Sequence, residues 1–294
     1  MGQAARHRRK FLGVHTRCAF CGGDAPETSI EHCPPRAMFQ DHLWPEGFEF
    51  PACQKCNHGT SDADLLVAML ARMDPFENKG NRDGKSFGLM KAVNIQFPGL
   101  FEKMMPTASE ARRQNRELKV QPTPGQTHQE AAHSIKVPRE FHDAVSILGS
   151  KLAKGIYYRD AGAIFPKDGC LLMNWFSNEQ LARDGKYEVF DVLKGLAGVA
   201  PPLVRAKKYL NDQFEYKLSL SPDKKIMVVQ ARFGNSFGLA AFGSTVVGHL
   251  EGAVAKMREQ TSRDGPFTVL QSSSLPVGWP LVGDKKPLLA AEIA

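Results

Sequence analysis

Four of the six cysteines fall into two C-x2-C pairs, Cys18/Cys21 and Cys53/Cys56. The basic N-terminal stretch does not read as a secretory leader, and with that expectation such pairs point to a metal rather than to disulfides. Structural zinc takes four tetrahedral donors, and each knuckle turns two thiolates toward one point. Cys21 is followed by Gly22-Gly23, which permits that tight turn, and Cys56 by Asn57-His58-Gly59. The pairs therefore predict a structural Zn2+ site. Between them runs IEHCPPRAMF, residues 30–39, with an acid beside a histidine and two prolines that forbid a helix. Glu31 and His32 either bind a metal and do chemistry or only close a turn.

The order CAFCGG, IEHCPPRAMF, PACQKCNHGTSDADLL resembles the HNH endonuclease family, in the branch whose middle motif reads Glu-His-x-Pro-Pro. The resemblance covers residues 18 to about 72, roughly a quarter of the chain. It implies a ββα-metal unit: a first strand ending at Glu31-His32, a second through Phe48-Glu49-Phe50, and a helix from about Ser61. It also implies an activity, metal-dependent hydrolysis of phosphodiester bonds in DNA, most naturally double-stranded. Such hydrolysis needs a base for water and a cation for the phosphate and the leaving oxygen. A histidine titrating near neutrality suits the first task, and a carboxylate suits a hard ion such as Mg2+. The resemblance thus assigns His32 as general base, with Glu31 and Asn57 as ligands of a second, catalytic divalent ion between strand end and helix start. His58 is the alternate ligand if the register slips by one; Asp62 or Asp64 can also reach the ion. Arg36 and Arg17 are phosphate-binding candidates. One departure stands out. The middle Asn that orients the general base is absent from HLWPEGFEFPAC, where Glu46 holds roughly the matching place.

Each assignment has a plainer counterpart. His32 can be a structural histidine bonded to a carbonyl, and Asn57 can adopt a left-handed conformation after the knuckle. Asp62 and Asp64 suit a helix N-terminus electrostatically. Arg36 can be solvated, Cys33 reads as a small buried residue or a replacement ligand, and Cys170 reads as core. With the middle Asn missing, the alternative function is a catalytically weak or inactive zinc-binding nucleic-acid module of the same fold. A zinc deaminase requires His-x-Glu and then Pro-Cys-x-x-Cys; here the order is Glu-His, and an extra C-x2-C pair is present.

The elements that must position these residues read as α+β: an N-terminal zinc-stapled ββα-metal unit, then a mixed helix and antiparallel-strand region. Residues 1–17 form a basic arm. Residues 18–75 are the zinc unit, in which metal replaces a hydrophobic core. Leu65, Leu66, Met69 and Leu70 predict an amphipathic helix, with Ser61 and Asp64 spaced as a capping box. Residues 76–137 form a linker with short helices in KSFGLMKAVNI and PGLFEKMM, and a polar loop from Ala108. The C-terminal domain spans 138–270. It opens with a helix presenting Phe141, Val145, Leu148 and Leu152 on one face, with Lys151 and Lys154 off that face, either solvated or following a phosphate backbone. FEYKLSL-SPDK-KIMVVQARF predicts a hairpin, and FGLAAFG a third strand. Residues 271–294 read as a tail. The net charge of +7 mildly favours an anionic partner. No apolar run is long enough to span a bilayer, so the expectation is a soluble cytoplasmic protein.

Overall fold

A computed structural model describes residues 3–73, 83–117, 119, 121–131, 135–179, 181, 185–187, 190–191, 193, 195–196, 198–246, 248–252 and 268–271. The described chain is mixed α+β. It opens with helix α1 (Gln3–Val14), where the sequence suggested an arm. Its polar character reads as tail, but it has anchors at both ends. Arg8 donates to the Thr28 carbonyl at 2.9 Å, and the His15 Nδ1 lies 2.6 Å from the Tyr158 hydroxyl.

Strands β1 (Ser29–His32) and β2 (Glu49–Ala52) pair antiparallel, with Glu31 opposite Phe50 and His32 opposite Glu49. Pro34 and Pro35 end β1 and lead into 3-10 turns at Arg36–Met38 and Gln40–His42. Short α2 (Gln54–His58) and amphipathic α3 (Ser61–Arg72) follow β2. The expected capping box does not form. Thr60 is the cap residue, and its hydroxyl and that of Ser61 donate backward to carbonyls of α2. Next come α4 (Ser86–Gln96), α5 (Leu100–Met104) and α6 (Ala108–Glu117). The last replaces part of the expected polar loop. Its first turn is fixed by Thr107 and Glu110, which cap each other's backbone as S/T-x-x-E pairs do.

Helix α7 (Arg139–Ala161) stops at Gly162, in the left-handed region at φ 71°. It is the spine of the molecule, buried on nearly every side between residues 144 and 157. Two glycines allow the close approach. A Cβ at Gly155 would meet the Phe50 ring of β2 at 2.9 Å, and one at Gly149 the Met173 sulfur at 1.8 Å. Met173 belongs to β3 (Cys170–Ser177), a strand not anticipated from sequence. Strands β6 (Glu215–Leu220), β7 (Ile226–Phe233) and β8 (Phe237–Ser244) match the expected hairpin and third strand. Together with β9 (Thr268–Gln271) they give an antiparallel sheet in the order β6-β7-β8-β3-β9. Between β3 and β6, the tiny hairpin β4 (Val204–Arg205) and β5 (Lys208–Tyr209) turns through Ala206 and Lys207, both at positive φ.

Buried apolar side chains form one cluster from Cys18 to Ala241. Phe48 makes edge contacts with Phe50 of β2 and with Phe214 and Tyr216 at the start of the large sheet. The four-cysteine unit and the C-terminal region therefore share a core. Residues 74–82 and 272–294, including nearly all of the expected tail, lie outside the described residues. No helix among the described residues is long and apolar enough to cross a membrane.

Candidate metal centre and phosphate-binding face

The four knuckle cysteines converge. Their sulfurs all lie within 4.8 Å of one another, and among the described residues they form the one group of His, Cys, Asp and Glu able to hold a metal. Gly22 and Gly23, at φ 68° and 80°, make the first knuckle's turn. The Phe20 and Ala25 amides donate to the Cys18 and Cys21 sulfurs at 3.4 Å. The Ala19 amide donates to the Pro51 carbonyl, which sets the first knuckle against β2 and thus beside Cys53. A tetrahedral zinc with Zn–S near 2.3 Å needs sulfurs about 3.8 Å apart, so this donor set fits the ion with little movement. The thiols already divide charge. A hydrogen bond from the Cys56 thiol holds Cys18 down at about 5, and the same contact pushes Cys56 up.

Two lysines of α7, expected in solvent, are buried against this unit. Lys154 is 0 % exposed and donates to the Phe20 carbonyl inside the first knuckle at 2.9 Å. Burial lowers its pKa to about 8, against the pull of Cys56, Cys18 and Cys21. A zinc ion held by these four cysteines as thiolates would leave two net negative charges, and Lys154 would offset one of them. One turn earlier, Lys151 is 1 % exposed. It bonds the Glu31 carboxylate, lies 2.9 Å from the Thr60 hydroxyl, and sits 3.9 Å from Asp64. Burial disfavours its charge, but Asp64 and Glu31 outweigh burial, and Lys151 stays an ammonium.

Alternation along β1 sends Glu31 and His32 to opposite faces. Glu31 turns inward to Lys151, while His32 turns outward, where its Nε2 lies 3.5 Å from Glu49 Oε1. Asn57 lies in helical α2, not in a left-handed turn, and donates to the Ser29 hydroxyl at 2.8 Å. The pocket that would hold Mg2+ at Glu31 contains the Lys151 ammonium, so the residues present there do not fit a divalent ion. His58 is exposed at the end of α2. Arg17 braces the first knuckle by donating to the Asp24 carbonyl. Asp62 accepts from Gln96 on α4. Cys33 is fully buried, which pushes its thiol well above its ordinary value.

The outward face gathers cations. The His32 ring meets the Trp44 edge at 5.0 Å, and the guanidiniums of Arg36 and Arg205 pack over the same indole at 4.1 and 3.7 Å. His7 of α1 approaches Glu49 at 3.6 Å. Burial lowers the pKa of His32, Glu49 pulls it up, and Arg36 and Arg205 push it down; the net is below the ordinary value. The ring is therefore neutral at pH 7 and able to accept a proton. Arg36 is placed by Arg72, whose guanidinium donates to the Ala37 and Phe39 carbonyls and pairs with Asp83. Arg205 is placed by the Glu46 amide, which donates to the Val204 carbonyl at 3.0 Å.

Glu49, Lys151, Lys154 and Arg205 are among the residues of this region whose roles the sequence alone did not assign. Glu49 had a signal: in FEF the outer aromatics face inward, so the middle carboxylate shares the outward face with His32. Lys151 and Lys154 had a weaker one, an i, i+3 pair on a helix apolar on most other sides. Arg205 had none, since only the tertiary fold brings it to Trp44. Comparison with family models, with curated proteins and with solved structures finds no match for this chain.

Proposed function

We propose that this chain is a zinc-stapled nucleic-acid-binding protein, with the outward face of β1–β2 as its phosphate-contacting surface. The observation that carries the reading is the convergence of Arg36 and Arg205 on Trp44 beside His32. Guanidiniums match phosphate geometry, and stacking on an indole orients them with less loss of freedom. Exposed Arg6, Arg9 and Lys10 on α1, and Lys207 and Lys208 on the β4–β5 turn, extend the positive surface. The zinc supplies structure: it holds β2 and the start of α2 in place, and with them Glu49.

Fluorescence anisotropy with a short labelled DNA duplex tests this. Zinc-loaded protein is expected to bind with a steep salt dependence. Arg36→Ala and Arg205→Ala are each expected to weaken binding alike on different sequences and to lower the salt slope by about 1. Trp44 emission is expected to change on binding. Absence of binding at low salt, or a double variant that binds like wild type, would overturn the reading.

The contact between His32 and Glu49 favours a second reading, hydrolysis of a phosphodiester on this same face. A carboxylate fixed on one imidazole nitrogen does the orienting work of the missing Asn and leaves Nδ1 for water. His32 accepts the proton of the attacking water as its oxygen bonds phosphorus, the bond to the leaving sugar oxygen breaks, that oxygen takes a proton from solvent, and the arginines offset charge developing on the phosphate. Plasmid nicking by wild type, His32→Ala and Glu49→Gln, across several divalent ions, separates the readings. Cleavage that His32→Ala abolishes establishes the hydrolase; binding without cleavage leaves the binding module.

A further inference from the structure

The pocket between the end of β1 and the start of α3 is lined by acceptors. The Glu31 carboxylate comes from β1, the Thr60 hydroxyl from the helix cap and the Asp64 carboxylate from α3; Glu31 and Thr60 are 5 % and 0 % exposed. The buried Glu31 carboxylate, with the Asp64 carboxylate, 24 % exposed, beside it, needs a cation. The cation present is the Lys151 ammonium, with the Phe20 ring 5.6 Å away on another side. It arrives from α7, a helix remote in sequence and held close by Gly149 and Gly155.

We propose that Lys151 is a built-in cation: its ammonium takes the place of a divalent ion at Glu31 and Asp64 and docks the zinc-stapled unit onto α7. Three observations carry this. The ammonium sits within bonding reach of Glu31 and Thr60. Asp64, at 3.9 Å, completes a ring of acceptors around it. Lys151 and Lys154 lie one turn apart, so α7 presents one positive charge to the carboxylates and one to the thiolates. An internal ammonium carries one charge and three donors in fixed supply, so the dock forms at any metal concentration. Any chemistry on the His32 face then proceeds without an ion at Glu31. The inference is independent of nucleic-acid binding.

The test uses the full-length, zinc-loaded chain with Mn2+ as the probe, read by thermal unfolding and by electron paramagnetic resonance. Wild type is expected to bind no Mn2+ that Glu31→Gln removes. Lys151→Ala vacates the pocket; its Tm is expected to fall and then to rise with Mn2+ concentration, with one bound Mn2+ per chain that the Glu31→Gln/Lys151→Ala double variant lacks. Should Lys151→Ala fail to fold, Glu31→Gln/Lys151→Met decides. An uncharged pair of similar volume is expected to restore folding without metal. Glu31-dependent Mn2+ binding by wild type, a folded Lys151→Ala indifferent to Mn2+, or a double variant as damaged as the single one would each overturn the proposal.

Discussion

Arg72 shows how one side chain can set a surface several residues away. It ends α3 inside the protein, and its guanidinium bonds the carbonyls of Ala37 and Phe39, the Gln40 amide oxygen and, through two nitrogens, Asp83. Those carbonyls belong to the turn that presents Arg36. Asp83 also accepts from the amides of Asp41 and Lys85. Burial alone would raise its pKa, but the Arg72 bonds and these amides hold it down at about 2, from an ordinary 3.8. Because the folded value is depressed, the stabilisation is fully present above the unfolded value, about pH 4. It is lost as pH falls through about 2, and the shift corresponds to about 2 kcal/mol. Denaturant melts of wild type and Asp83→Asn between pH 5 and pH 2 test this. The wild-type advantage is expected to shrink by that amount across the window; parallel curves would refute the account. At pH 7 the variant is expected to lose about 3 kcal/mol, since it leaves a buried guanidinium without its charge partner.

At the scale of elements, α7 decides which parts of the molecule meet. A buried helix packed on two sides must be thin at its contacts, and Gly149 and Gly155 supply that. Gly149→Ala places a methyl group into the Met173 sulfur, in a residue 1 % exposed with little freedom to yield. The expected cost is about 1–3 kcal/mol, read by urea denaturation. Gly13, near the end of α1, is the opposite case: a methyl group there would have nothing within 4 Å. Gly13→Ala is expected to be neutral or to stabilise by about 0.5 kcal/mol, through helix propensity. Equal losses from both variants would remove the packing argument. The elements most legible in sequence were those whose pattern is local: α3, the α7 apolar stripe and the β6–β7 hairpin; β1 was expected only from the resemblance. α7 also shows where such reading stops. Periodicity located its Phe141–Leu152 face, but the burial of Lys151 and Lys154 depends on Glu31 and the cysteines, more than ninety residues earlier. Helix α6 was missed because its core-facing residues, Ala111 and Asn115, include no large apolar side chain, and β3 because its pairing partners are β8 and β9 rather than a sequence neighbour.

For the whole molecule, the continuous core sets a limit on independence. A metal-stapled unit of about sixty residues would ordinarily unfold alone when its ion is removed. Here its aromatic residues Phe20, Phe48 and Phe50 pack into the same cluster as Phe214, Phe233 and Phe237 of the large sheet. Lys154 also ties α7 directly to the first knuckle. Removing a zinc ion bound by the four cysteines would therefore loosen a wall of the shared core and leave Lys154 beside cysteines without their metal. The two halves are expected to lose stability together. Two of the three tryptophans report on them separately: Trp44 in the four-cysteine half and Trp175 on β3. In variants that retain one of these tryptophans each, urea transitions are expected to coincide with zinc bound. After chelation both midpoints are expected to move down by a similar amount, as cooperative single-core unfolding requires. A chelator that shifts the Trp44 transition and leaves the Trp175 transition in place would show two separable domains. It would also remove the reason for placing Arg36 and Arg205 on one rigid surface.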